Sequence, residues 1–300
     1  MMITVQDFSG VYAEQPFMQG LRESAGKFSA GLNAEIRWID CTGIPGTDCY
    51  CDDDAVTQVR KQIAAAGIKS PRGIHFFDNG NYHYMSKIWT DMVQEPFSLV
   101  VFDHHPDMQE PRFGNILSCG GWVLEVLKSN PFVQGVTLIG VADHLADEIG
   151  SEIASHPAGA RNDNIRIIRE NKLFQIPGQA RNDADQIPDQ ARNDGIADMV
   201  QTSWRSTSRH LESAPLYISI DKDALAPAYA ATNWDQGSLS TEMLKSSIAG
   251  LAACHKILGV DICGERARDF AGNEHHTVQE ADALNSELNR ELAEFLLKIC

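Results

Sequence analysis

Residues 98–107 read SLVVFDHHPD and residues 216–227 read LYISIDKDALAP. Each is a short apolar run that ends in alternating acids. Near-continuous apolar runs of this length suit strands buried on both faces, as in a parallel sheet covered by helices. In an extended segment, side chains two apart share a side. Asp103, His105 and Asp107 therefore point one way, as do Asp221 and Asp223, with Lys222 turned away. Pro106 and Pro227 mark where the chain leaves the sheet.

Working outward, residues 73–78 (GIHFFD), 135–141 (GVTLIGV) and 257–261 (ILGVD) read as further strands, with ITVQDF and AEIRWID before them. Helical patterns lie between. Residues 52–66 open on acids suited to a helix N-terminus and place Val56, Val59 and Ile63 on one face. Residues 240–254 start on Ser240 and Thr241 as caps. Residues 277–299 carry Leu284, Leu288, Leu292 and Leu296 at a spacing of four. This alternation predicts a single α/β domain over residues 1–300, a mostly parallel sheet flanked by helices. Residues 151–200 break the pattern. IPGQARND at 176–183 recurs as IPDQARND at 187–194, with a degenerate copy, HPAGARND, at 156–163. Proline, glycine and short polar residues dominate, so the region reads as a surface insertion with short helices around IRIIRENKLF.

With 41 acids against 25 bases the net charge is −16, which argues against nucleic acid as a partner. No apolar run approaches the length of a membrane span, and the N-terminus has no secretory pattern. Seven cysteines, an odd number in a large chain, read as reduced thiols in a cytoplasmic protein.

The two acid sets and two histidines, His105 and His83 in GNYHYMS, all fall just past apolar strands. In a parallel sheet those ends share one edge. Four clustered carboxylates would repel one another without cations. With two neutral imidazoles they sum to about −4, which two divalent ions balance, and mixed oxygen and imidazole donors suit Mn²⁺.

These motifs resemble the ureohydrolases, the family of arginase, agmatinase and formimidoylglutamase. The family's D-x-H-x-D motif matches Asp103–Asp107, its S-x-D-x-D-x-x-x-P motif matches Ser219–Pro227, and its single upstream histidine matches His83. Order and spacing agree from about residue 73 to 265, apart from the insertion. The resemblance implies a three-layer arginase-like fold. It also implies two Mn²⁺ per chain, one on His83, Asp103, Asp107 and Asp221, the other on His105, Asp103, Asp221 and Asp223. The implied activity is hydrolysis of a guanidino or amidine group in a small amino compound by a hydroxide bridging the two ions, with Asp107 moving the proton. A homotrimer or homohexamer is implied as well.

The departures concern the substrate. Where arginases carry a loop histidine, this chain has Ser118, Cys119 and Gly120. In the stretch that contacts an α-amino group only Asp143 is kept. The guanidinium-gripping glutamate is shifted to Glu265, with Gly264 at the aligned position; a bulge there would let Glu265 serve. Two other readings stand beside this one: a deacetylase-like metal hydrolase, and a metal-binding homologue without turnover. Asp223, the second acid of its pair, speaks against the deacetylase-like reading.

Overall fold

The computed structural model describes residues 1–111, 114–155, 165–173 and 214–300. In chain order its elements are β1 (Met2–Asp7), α1 (Pro16–Glu23), β2 (Phe28–Ser29), β3 (Ala34–Asp40), β4 (Tyr50–Cys51), α2 (Asp53–Ala65), β5 (Ile74–Phe76), α3 (Met85–Thr90), β6 (Phe97–Phe102), β7 (Leu117–Ser118), α4 (Trp122–Ser129), β8 (Val133–Val141), α5 (Asp143–Ser155), β9 (Ile165–Arg169), α6 (Glu170–Leu173), β10 (Leu216–Asp221), α7 (Thr241–Cys254), β11 (Ile257–Cys263) and α8 (Val278–Ile299).

Nine strands form one sheet in the order β2-β3-β1-β5-β11-β10-β6-β8-β9. All pairings are parallel except β2 with β3 at the edge. β6 and β10 are buried at every residue, as their continuous apolar runs require. Alternate residues feed two cores. Val100, Ile218, Ile220 and Val260 pack with Leu244, Ile248, Leu288 and Leu292 of α7 and α8. Leu99, Val101, Leu138 and Tyr217 pack with Val59, Trp89, Trp122 and Ile149 of α2 to α5. The result is three layers, with helices on both sheet faces.

The helix starts follow their capping residues. Asp52 accepts from the Ala55 N–H at 2.8 Å and Ser240 from the Met243 N–H at 3.1 Å. Thr277 and Glu280 form a reciprocal capping box at the head of α8. Each such cap is worth about 1 kcal/mol. The α2 stripe is Ala55, Val59 and Ile63, with Val56 half-buried beside it. In α8, Leu288, Leu292 and Leu296 are buried and Leu284 is half-buried.

Part of the expected insertion belongs to the sheet. Ile165–Arg169 form β9, parallel to β8, where isoleucine-rich sequence favours a strand over the short helix expected there. Helix begins only at Glu170. The three I-P-x-Q-A-R-N-D-type copies lie outside the described residues. Among those described, no helix is long and apolar enough to cross a membrane.

Candidate metal centre

Four neighbouring strands, β5-β11-β10-β6, bring their C-terminal ends together at the middle of the sheet. β6 ends at Phe102, so Asp103 stands at its tip, its N–H still bonded to the Ile139 carbonyl at 3.0 Å. Asp107 follows in a left-handed conformation, φ 49°, as the chain turns off the sheet. β10 ends on Asp221, whose side chain accepts from the Asp223 N–H and starts a short 3-10 turn. After β5, the chain passes Asn79, which caps a second 3-10 turn, and delivers His83. The sheet thus supplies the fixed frame, and tight capped turns aim the acids and imidazoles over its edge.

All six residues singled out by the two motifs and the upstream histidine meet there. His83 Nδ1 lies 3.1 Å from Asp103 Oδ2, 2.9 Å from Asp107 Oδ2 and 3.6 Å from Asp221 Oδ2. His105 Nδ1 lies 2.9 Å from Asp223 Oδ2 and 3.6 Å from Asp103 Oδ1. Asp103 therefore faces both imidazoles, one through each oxygen. Further polar groups orient the set. His83 Nε2 pairs with Ser219 Oγ at 2.9 Å, which in turn meets Ser86 Oγ at 2.8 Å. The Trp122 indole N–H donates to Asp107 Oδ2 at 2.7 Å. The His104 N–H donates to Asp223 Oδ1 at 3.0 Å.

Burial makes this cluster electrically demanding. Burial, reinforced by the charge of Asp223, lifts Asp221 to about 7. Burial and the charge of Asp103 lift Asp223 to about 6. Burial works to lower both histidines, but their carboxylate partners outweigh it. Asp103 and Asp107 hold His83 well above its ordinary value, and Asp103 and Asp223 raise His105 to about 12. Each imidazole is thus held by the buried carboxylates that face it. The donor set fits divalent ions. His83, Asp103 and Asp107 offer ligand atoms within 4.8 Å of one another, as do Asp103, His105 and Asp223. The outer partners on His83 Nε2 and Asp223 Oδ1 keep the other nitrogen and oxygen aimed inward, whereas Trp122 shares with His83 the inward Oδ2 of Asp107.

The centre floors a cleft of about 490 Å³, within the range of small-molecule sites. Ser118 and Cys119 line it, together with Gln109, Glu110, Trp234, Leu145, Glu148 and others. Two expectations for substrate residues are corrected. Asp143 is not among the lining residues; α5 presents Leu145, Glu148 and Ile149 instead, which share a helical face three and four apart. Glu265 turns to the opposite face of the sheet. Its carboxylate accepts from Lys222 Nζ at 2.5 Å, Asn289 Nδ2 at 2.7 Å and Gln15 Nε2 at 2.8 Å, beside α8. The cause is Gly264, at φ 92°, which reverses the alternation after β11. A Cβ at Gly264 would meet Asp221 Oδ1 at 2.3 Å, so this position admits no side chain while Asp221 stands where it does. Asp261 also stays away from the cleft, buried with His75 and Tyr217 at 2.8 Å from each.

Sequence reasoning missed Trp122, Glu148 and Cys263. Cys263 ends β11, and its thiol donates to Asp221 Oδ2 at 3.2 Å. Its register partner across the ladder is Asp221 itself, a pairing that no spacing along the chain reveals.

No family model matches the chain. An uncharacterized protein of Thermotoga maritima is 25% identical over 263 residues, covering 88% of this chain and 79% of that one. Among solved structures, proclavaminate amidino hydrolase from Streptomyces clavuligerus aligns over 100% of this chain and 92% of its own, with a TM-score of 0.61 and 15% identity. Trypanosoma cruzi formiminoglutamase, described with Mn²⁺, aligns over 99% of this chain and 94% of its own, with a TM-score of 0.57 and 10% identity. The arginase-like fold expected from the resemblance is therefore the fold observed, shared with a proclavaminate amidino hydrolase and a formiminoglutamase.

Proposed function

We propose that this protein is a divergent ureohydrolase that hydrolyses the guanidino or amidine group of a small compound, using two Mn²⁺ held by His83, Asp103, His105, Asp107, Asp221 and Asp223. One observation carries the reading. Six residues of the types and order that the motifs require converge at adjacent strand ends, with Asp103 between the two imidazoles. The amidine chemistry named for proteins of the same fold supports it. Two divalent ions, when bound, would supply an activated water at neutral pH.

The chain's own residues would do the rest. Ser219 Oγ pairs with His83 Nε2 and so leaves Nδ1 facing the centre. Trp122 fixes one oxygen of Asp107, leaving Oδ1 to take a proton from the attacking water and pass it to the departing amine, which is a poor leaving group until protonated. No histidine stands at 118–120, so this duty would fall more heavily on Asp107. Ser118, Cys119 and Glu148 would contact the substrate's tail from the cleft wall. The reading further carries a cytoplasmic homotrimer or homohexamer, and an insertion at the repeats that is dispensable for the centre.

Elemental analysis after purification with Mn²⁺, followed by a screen for urea or formamide release over guanidino and formimino compounds, tests the proposal. About two ions per chain with turnover of one substrate class is the expected result. A second reading, a metal-binding homologue without turnover, is favoured by the engagement of Glu265 with Lys222; two ions with no turnover across the screen would establish it.

A further inference from the structure

We infer that Cys263 is a thiolate ligand to the cation held by His83 and Asp221, so that the two halves of the centre differ in donor chemistry. This inference rests on the metal-centre reading and adds a donor to it. The sulfur of Cys263, an imidazole nitrogen of His83 and a carboxylate oxygen of Asp221 lie within 4.8 Å of one another, and all three residues are buried. The strand order supplies an independent argument. β11 lies between β5, which leads to His83, and β10, which ends on Asp221. Its tip is therefore surrounded by proposed ligands. Glu265 has turned to the other sheet face and Gly264 carries no side chain, so Cys263 is the donor β11 presents there.

The position is built rather than incidental. Asp221 and Cys263 are register partners in the parallel ladder, which fixes the sulfur beside Asp221 Oδ2. In the metal-free protein the thiol donates to that oxygen. Coordination would replace the S–H bond by a sulfur–metal bond and release one proton to solvent, as for any thiolate ligand. Thiolate donors favour softer divalent ions such as Zn²⁺ or Co²⁺, whereas the His105, Asp103 and Asp223 half keeps only nitrogen and oxygen donors of the kind Mn²⁺ accepts. Cys263 would thus set the metal preference of the His83 half.

Titration of the metal-free protein with Co²⁺, followed by absorption, tests this. Visible d–d bands report cobalt in the centre, and an intense near-ultraviolet charge-transfer band reports a cobalt–sulfur bond. Both bands are expected in the unmodified protein. Cys263→Ser should keep the d–d bands and lose the charge-transfer band, whereas Cys119→Ser, in the cleft wall, should keep both. In direct competition, the Cys263→Ser variant should lose preference for Zn²⁺ over Mn²⁺ by about tenfold or more, the scale of changes around a metal site. Visible bands without charge transfer in the unmodified protein would overturn the thiolate ligand while leaving the metal centre standing, with Cys263 a hydrogen-bond donor to Asp221. Charge transfer that survives in Cys263→Ser would assign the sulfur elsewhere and also overturn it. Absence of both bands would overturn the metal centre and this inference together.

Discussion

Two buried charged clusters sit back to back across the tip of β10. On one face, Asp221 and Asp223 join Asp103, Asp107, His83 and His105. On the other, Lys222, between them in sequence, bonds Glu265 with Gln15 and Asn289 around the pair. Lys222 and Glu265 are 0% and 1% exposed, as deeply buried as the aspartates. The second cluster is electrically closed, because its one carboxylate has a covalently supplied cation and amide donors. The first holds more carboxylates than the chain has cations for, so its imidazoles, Asp221 and Asp223 are pushed to hold protons. A buried acid site thus shows what it is built for by whether the chain supplies the counter-charge. Both clusters follow from the end of β10, where Asp221 caps the 3-10 turn Lys222–Ala224 and the turn brings Asp223 back beside the acids while Lys222 meets Glu265.

The largest expected effect lies in the closed cluster. Lys222→Met strands Glu265 without its cation, and breaking one side of a buried pair costs about 3–5 kcal/mol. Denaturant unfolding should show that loss, and added Mn²⁺ should not selectively repair it. A loss below about 1 kcal/mol would mean that water reaches Glu265 and the pair is not closed.

The next effect lies in the open cluster. Asp107→Asn keeps the shape and a coordinating oxygen but removes the base. Turnover should fall about 10²-fold or more, close to 2.7 kcal/mol of barrier, with much of the metal retained. Near-normal turnover would move the proton step to another group.

A smaller change is expected from Ser219→Ala, which frees His83 Nε2 without touching a proposed ligand. Metal affinity should weaken roughly 10-fold, the lower end for outer partners of metal-binding histidines. Calorimetric titration measures it, and unchanged affinity would show that packing alone orients the imidazole.

The last expectation is a sign. In the metal-free protein Asp221 and Asp223, at about 7 and about 6, sit above their ordinary 3.8, so the native state holds protons that the unfolded chain releases. Their contribution to stability is present at low pH and falls as pH rises through that window. The raised histidines act in the same direction at higher pH. Metal binding displaces these protons, so its affinity should climb over the same range. Thermal melts with and without Mn²⁺ should diverge as pH rises from about 5 to 8. Parallel curves would separate the cluster from metal binding.

Much of this was legible along the chain. SLVVFD and LYISID are strands because β-branched and apolar residues run without a break, and both ends carry acids at a spacing of two. That spacing is local information, so the acids and His105 could be read from it as candidate ligands, while His83 and the arginase-like fold came from the resemblance of the motifs to the ureohydrolases; the strands themselves end at Phe102 and Asp221, before either proline. Caps at Asp52, Ser240 and Thr277 are local as well. The isoleucines of 165–169 were masked by their polar surroundings, since an edge strand and a short helix differ little over five residues.

The sequence by itself determined the layers, the strands that bear the centre and the chemical types gathered there, because each depends on periodicity within a few residues. Only the tertiary structure decided what lies beside what. In the sequence, Gly264 stands at the aligned glutamate position and Glu265 one residue later, within reach of the same role if the strand bulged. In the fold, a left-handed glycine pressed against Asp221 sends Glu265 to Lys222 on the far face and leaves Cys263 at the tip of β11. The strand order that sets β11 between β5 and β10 is a long-range choice. It pairs Asp221 with Cys263, 42 positions on, and Ile74 with Val260, 186 positions on, through sheet pairing and packing, which no spacing along the chain encodes.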